Sequence, residues 1–140
     1  MRRVSNSYKN TMAEDPPTVL VVEDEEAVVE AYAMWLSDVA DVRTATGGRE
    51  ALQLVDGDVD AVLLDRRMPD LSGDETLAEI RERGFDCRVA MVTAVDPAVD
   101  VDGVNASFDT YLTKPVTKEE IVDAVGELLE RPIRDGADGG

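Results

Sequence analysis

Residues 61–73 read AVLLDRRMPDLSG. Ala61, Val62, Leu63 and Leu64 form an unbroken apolar run that leads straight into Asp65, then Arg66 and Arg67, then a Pro69–Asp70 turn. A short apolar run bounded by turn signals reads as a strand covered on both faces. Such a strand ending on a carboxylate raises a question, because buried charge is costly unless something compensates it. One ordinary answer is that Asp65 starts a turn, as Asp often does. The residues at the ends of the other strands decide between that answer and a site.

Similar runs recur on both sides of this stretch. Thr18–Val22 (TVLVV) is β-branched and reads as a strand. Residues 25–37 carry Val28, Ala31 and Trp35 at helical spacing, and Asp41–Ala45 (DVRTA) alternates as a shorter strand. Residues 48–55 space Ala51, Leu52 and Val55 as a helix. Residues 74–83 place Leu77, Ile80 and Arg81 on another helix, which stops at Gly84. Residues 88–92 (RVAMV) and 108–112 read as the fourth and fifth strands. Residues 118–129 carry an apolar stripe of Ile121, Val125, Leu128 and Leu129. The alternation predicts an α/β fold, a doubly wound five-stranded parallel sheet with helices on both faces. Its crossovers should be right-handed, and its site should lie outside the carboxyl ends of the strands, where the strand order reverses.

Composition narrows the function. The chain has 140 residues, 44% of them hydrophobic, enough for one domain with a core. No apolar run approaches the roughly 20 residues of a membrane-spanning helix. Residues 1–17 are polar, lack a signal-peptide core and read as a flexible tail, with Met12 an alternative start. Residues 131–140, rich in Gly and Asp, read as a second tail, leaving a domain over 18–130. Cys87 is the single cysteine, so no internal disulfide forms. These features fit a soluble cytoplasmic protein.

The net charge is −17, from 31 acidic and 14 basic residues, which argues against direct binding to a nucleic-acid backbone. The acids are spread along the chain and read as a solvated surface. Lysines are few: Lys9, Lys114 and Lys118. An acid-rich, lysine-poor surface resembles those of proteins from salt-accumulating halophiles, where screening eases self-repulsion.

The strand ends carry a pattern. Glu23 and Asp24 follow the first strand, Asp65 the third, Thr93 the fourth and Lys114 the fifth. In a 2-1-3-4-5 order the first and third strands are neighbours, so Glu23, Asp24 and Asp65 converge. Three carboxylates in one cleft repel one another and call for a cation. An all-oxygen donor set without Cys or His favours Mg²⁺ over zinc or iron. Each residue has an ordinary explanation: Asp24 as a helix N-cap, Thr93 as a cap or turn, Lys114 as a surface lysine. Their joint placement at four strand ends is improbable by chance.

From about residue 18 to 130 the chain resembles the receiver (CheY-like) domains of two-component response regulators, of the variety common in haloarchaeal regulators. The matching pieces are VVEDEE, LLDRRMPDLSG, VT before Ala94, and YLTKPV. The resemblance implies a flavodoxin-like, three-layer α/β/α sandwich. It implies that Asp65 accepts a phosphoryl group from a sensor histidine kinase in a phosphorelay. Asp24, Asp65 and the backbone carbonyl of Arg67 would hold Mg²⁺, with Glu23 acting through water and Mn²⁺ able to substitute. Lys114 and the Thr93 hydroxyl would each take a phosphoryl oxygen. The Lys114–Pro115 bond would be cis. Thr93 would draw Tyr111 inward as the switch aromatic. The output face would comprise the fourth crossover helix, the fifth strand and the last helix, used for a downstream protein or a homodimer.

One segment departs from the pattern. Residues 94–107 (AVDPAVDVDGVNAS) are poor helix formers, so the fourth helix should be short or irregular, which suits a mobile output face. Arg67 could reach the phosphoryl group or hinder water, leaving its lifetime open. With no output domain after Leu129, the chain reads as a single-domain regulator or as the receiver part of a longer transcriptional regulator. A pseudo-receiver that only binds partners is the first alternative, opposed by the presence of Glu23, Asp24, Asp65, Thr93 and Lys114. An aspartate-nucleophile phosphatase would need a second Asp where Glu26 stands. A flavodoxin would need a phosphate-cradling loop where EDEE stands.

Overall fold

The computed structural model describes residues 16–94 and 108–130. Residues 1–15 and 131–140 of the two tails and nearly all of the irregular segment 94–107 lie outside the described residues. The elements run β1 (Thr18–Val22), α1 (Glu26–Leu36), β2 (Asp41–Ala45), α2 (Gly48–Leu54), β3 (Ala61–Asp65), α3 (Gly73–Glu82), β4 (Arg88–Thr93), β5 (Thr110–Thr113) and α4 (Lys118–Glu130). The strands form one parallel sheet in the order β2-β1-β3-β4-β5. It is the flavodoxin-like, doubly wound sandwich.

The period-two geometry of a strand divides the core in two. Leu20, Val22, Val62, Leu64, Val89 and Met91 face α2 and α3, packing on Ala51, Leu77 and Ile80. Val19, Val21, Ala61, Leu63, Ala90 and Val92 face α1 and α4, packing on Val29, Tyr32, Leu36, Ile121, Val125 and Leu128. This explains why β1, β3 and β4 read as continuous apolar runs: both of their faces are covered. The edge strand β2 is partly exposed and alternates less clearly. Ile80→Ala should cost about 2–5 kcal/mol, because the fully buried side chain leaves a cavity. Met34→Ala, at a 66% exposed position, should change stability by less than about 0.5 kcal/mol. Chemical denaturation at fixed KCl measures both.

One boundary expectation needs correction, and the buried face of α1 is settled by packing. In α1 the buried residues are Val29, Tyr32 and Leu36, whereas Val28, Ala31 and Trp35 are half-buried. The helix is apolar nearly all round, so its sequence does not choose the face; packing on the sheet does. The fifth strand begins at Thr110 rather than at residue 108 and ends at Thr113. Its register pairs Ala90 with Thr110. Asp109 precedes it; its carboxylate accepts the Val89 N–H and its own N–H donates to the Val89 carbonyl, each at 2.8 Å.

Candidate functional site

The site is built by extending three strands along one face. Val21, Leu63 and Leu112 all belong to the α1/α4 side of the core. Glu23, Asp65 and Lys114 each stand two positions further on, so the strand period aims all three the same way. The ladder continues under them. The Glu23 N–H donates to the Ala45 carbonyl (3.1 Å), Arg66 N–H to Val92 carbonyl (2.9 Å) and Lys114 N–H to Thr93 carbonyl (2.8 Å). Asp65 is thus the last residue of β3, paired with Val92, and the turn begins after it.

Glu23 is 1% exposed and Asp65 4%, whereas Asp24 is exposed. Carboxylate oxygens of Glu23, Asp24 and Asp65 lie within 4.8 Å of one another. The Lys114 ammonium donates to Glu23 Oε2 at 2.7 Å and to Oε1 at 3.3 Å, and stands 3.4 Å from Asp65 Oδ1. Its side chain is 27% exposed, so it reaches in from the rim. The Arg67 N–H makes a long contact, 3.4 Å, with Asp65 Oδ1, while the Arg67 side chain points to solvent. Thr93 closes β4, buried, opposite Thr113. Tyr111 is 45% exposed and meets Phe108 edge-on, ring centroids 6.4 Å apart. The Lys114–Pro115 peptide is cis.

The electrostatics follow from burial. Desolvation pushes the Glu23 carboxyl up to about 7, with Asp65 beside it adding to the rise and Lys114 opposing it. Burial also raises Asp65, against the pull of Glu23 and Lys114. Lys114 is raised: burial works against its charge, but the Glu23 hydrogen bond and the two carboxylates hold the proton. Three carboxylates face one ammonium here, so the pocket carries excess negative charge. Its donors are all oxygen, and the chain contains no histidine. That set fits a hard divalent cation.

A pH dependence follows. Glu23 ionises near 4.5 as a free side chain but near 7 in the metal-free fold. Ionising the buried carboxyl therefore costs stability: the fold is favoured most below pH 4.5, and that advantage is lost as pH rises through 7. Melting in EDTA should show falling stability from pH 5 to 8, and Glu23→Gln should flatten that fall.

The structure adds three residues to those named from sequence. Tyr32, on α1, is buried close enough to the carboxylates that its phenol is pushed up to about 12, by burial first and Glu23 second. In sequence it reads only as one more apolar helix position. A Cβ on Gly73 would collide with the Asp65 carbonyl and lie 2.8 Å from Arg66 Cα, so α3 starts against the backbone of the site. Asp70 reads as a turn residue, yet it accepts N–H groups from α2.

A doubly wound sheet with an acidic, cation-fitting pocket at the β1/β3 switch point defines a class of phosphate- and metal-handling α/β domains. Within it, this chain belongs to the response regulator receiver domain family, which matches residues 19–126. A protein of Haloferax volcanii, named provisionally as a transcriptional regulator, is 54% identical over 114 residues, covering 81% of this chain and 19% of that protein. The response regulator MprA of Mycolicibacterium vanbaalenii is 39% identical over 127 residues, covering 89% of this chain and 55% of its own. The chain thus spans about a fifth and about half of these relatives. The Thermotoga maritima response regulator TrrA, solved in complex with Mg²⁺–BeF, superposes with a TM-score of 0.71 at 32% identity, covering 80% of this chain and 98% of that one. Among the described residues no helix is long and apolar enough to cross a membrane.

Proposed function

We propose that this receiver domain, with boundaries near 18 and 130, accepts a phosphoryl group on Asp65 from a sensor histidine kinase and thereby switches a protein-contact surface. The observation that carries the reading is the Lys114 ammonium seated between two buried carboxylates, 2.7 Å from Glu23 and 3.4 Å from Asp65. Glu23, Asp24, Asp65 and the Arg67 carbonyl would hold Mg²⁺. The bound ion would supply neutralisation of the charge on the phosphoryl oxygens. An Asp65 carboxylate oxygen attacks phosphorus; the new O–P bond forms as the N–P bond of the donor phosphohistidine breaks and its imidazole leaves. Lys114, released from Glu23, meets the negative charge of the phosphoryl group, and the Thr93 hydroxyl donates to another of its oxygens. Tyr111, outward and exposed here, turns inward when Thr93 engages. The surface it alters comprises the segment after β4, β5 and α4, which serves a downstream protein or a second copy. The domain works in the cytoplasm and makes no direct nucleic-acid contact, given its charge. Its own chemistry is limited to gaining and losing the phosphoryl group. The MprA relatives carry nearly as much chain again, and the TrrA complex with Mg²⁺–BeF supports the metal and the pocket.

The test is incubation with acetyl phosphate in high KCl, followed by intact-mass measurement. One phosphoryl group gained with Mg²⁺ and none with EDTA supports the reading. No gain from acetyl phosphate and none from a phosphorylated histidine kinase would leave the partner-binding alternative.

A further inference from the structure

We propose that Asp70 is a positioning residue for the Asp65 pocket: it ties the loop carrying Arg67 to the start of α2 and so sets the affinity of the pocket for its divalent cation. This rests on the receiver reading above. The loop leaves β3 after Asp65 and closes where the Gly73 N–H donates to the Arg66 carbonyl at 2.7 Å. Its far end is held by the Ser72–Glu75 capping box of α3, and its near end by the Arg66–Asp74 ion pair at 3.0 Å. Between them the Asp70 carboxylate reaches across to another element. Oδ1 accepts the Gly48 N–H and Oδ2 the Arg49 N–H, each at 3.0 Å. Oδ1 also accepts the Leu71 N–H at 2.7 Å. Gly48 and Arg49 open α2, whose own N-cap, Gly47, offers no side chain. A carboxylate 22 residues downstream of Gly48 therefore satisfies two of the helix's orphan N–H groups.

The approach is close by construction. A Cβ on Gly47 would stand 2.9 Å from Asp70 Oδ2, and one on Gly48 would stand 2.8 Å from Leu71 Cβ. The glycine pair lets the loop and α2 meet. The other side of the joint leads back to the pocket, because Ala45, which ends β2 three residues before Gly48, accepts the Glu23 N–H. The backbone thus runs in a ring from Glu23 through Ala45 and Gly48, across Asp70, and back along the loop to Asp65. Every other link in that ring is backbone. Asp70 is the link made by a side chain, and cutting it removes the tie between α2 and the loop that carries the Arg67 carbonyl. Met68 remains seated in the core, so the loop loosens without unfolding the domain.

The experiment compares wild type, Asp70→Ala and Asp70→Asn in one high-KCl buffer. Mg²⁺ affinity is read by calorimetry, and exchange of the Gly48 and Arg49 amides is read without metal. Asp70→Ala should weaken Mg²⁺ binding about tenfold, in the range known for residues that orient metal ligands. Both amides should exchange faster. Asp70→Asn, which keeps one acceptor oxygen, should fall between. Phosphoryl uptake by Asp70→Ala should be slowed at low Mg²⁺ and recover at saturating Mg²⁺. An Asp70→Ala protein with wild-type Mg²⁺ affinity overturns the proposal, even if it melts lower, since a helix cap alone would do that. If Asp70→Ala does not fold, the affinity of Asp70→Asn decides in the same way. A wild type that binds Mg²⁺ but takes no phosphoryl group from acetyl phosphate or a phosphorylated kinase sinks the phosphoacceptor reading and leaves the calorimetric comparison standing. A wild type that binds no Mg²⁺ overturns the tether.

Discussion

Asp65→Asn is expected to gain no phosphoryl group from acetyl phosphate under conditions in which the wild type gains one. The substitution keeps the shape of the side chain and the β3–β4 pairing of Asp65 with Val92. What it removes is the anionic oxygen, and an amide oxygen is a poor nucleophile toward phosphorus. The loss should therefore be complete rather than graded. The same variant should melt higher than the wild type in EDTA at pH 8. Burial already disfavours the charge on both Glu23 and Asp65, and removing one carboxylate relieves the repulsion on the other. The further stabilisation that Mg²⁺ confers should shrink in the variant, because a ligand is gone. Intact mass and thermal melts check the pair of results. A phosphorylated Asp65→Asn protein would move the acceptor elsewhere.

Lys114→Met should slow phosphoryl uptake at saturating Mg²⁺ by about two to three orders of magnitude, the usual cost of losing one pre-placed charge donor. Methionine keeps much of the apolar stem and deletes the ammonium. In the metal-free state the deletion strands Glu23 and Asp65 with no cation beside them among the described residues. Both carboxyls then titrate higher still, and stability at pH 8 falls. Added Mg²⁺ should restore the melting temperature without restoring the rate, since the ion replaces the missing charge on the carboxylates but not the donor on the phosphoryl group. Single-turnover kinetics beside melts with and without Mg²⁺ measure the split. A variant as fast as wild type would remove Lys114 from the chemistry.

Much of this molecule is legible along the chain, for a local reason. AVLLD reads as a buried strand because both of its faces are covered, and DVRTA reads more weakly because it lies at an edge. Glu23, Asp65 and Lys114 are legible as a set because each ends a strand or follows one directly, and strand ends converge in a doubly wound sheet. The face of α1 is not legible, since nine apolar choices in eleven positions leave the helix no preferred side until the sheet supplies one. The start of β5 is not legible either: Asp109 meets Val89 with both its backbone N–H and its carboxylate, and regular pairing begins only at Thr110. Tyr32 and Asp70 carry no mark in the sequence that separates them from a core aromatic and a turn aspartate.

The sequence by itself determined the alternation of strands and helices, their parallel sheet and the identity of the residues at its carboxyl ends. These follow from hydrophobic period and turn chemistry, which act within a few residues. Only the tertiary structure decided that Lys114 rests on Glu23 more closely than on Asp65, that the buried Tyr32 phenol feels the charge of the carboxylates, and that Asp70 caps a helix 22 residues away. Those are contacts across strands and loops, set by sheet register and close packing, and no local pattern encodes them.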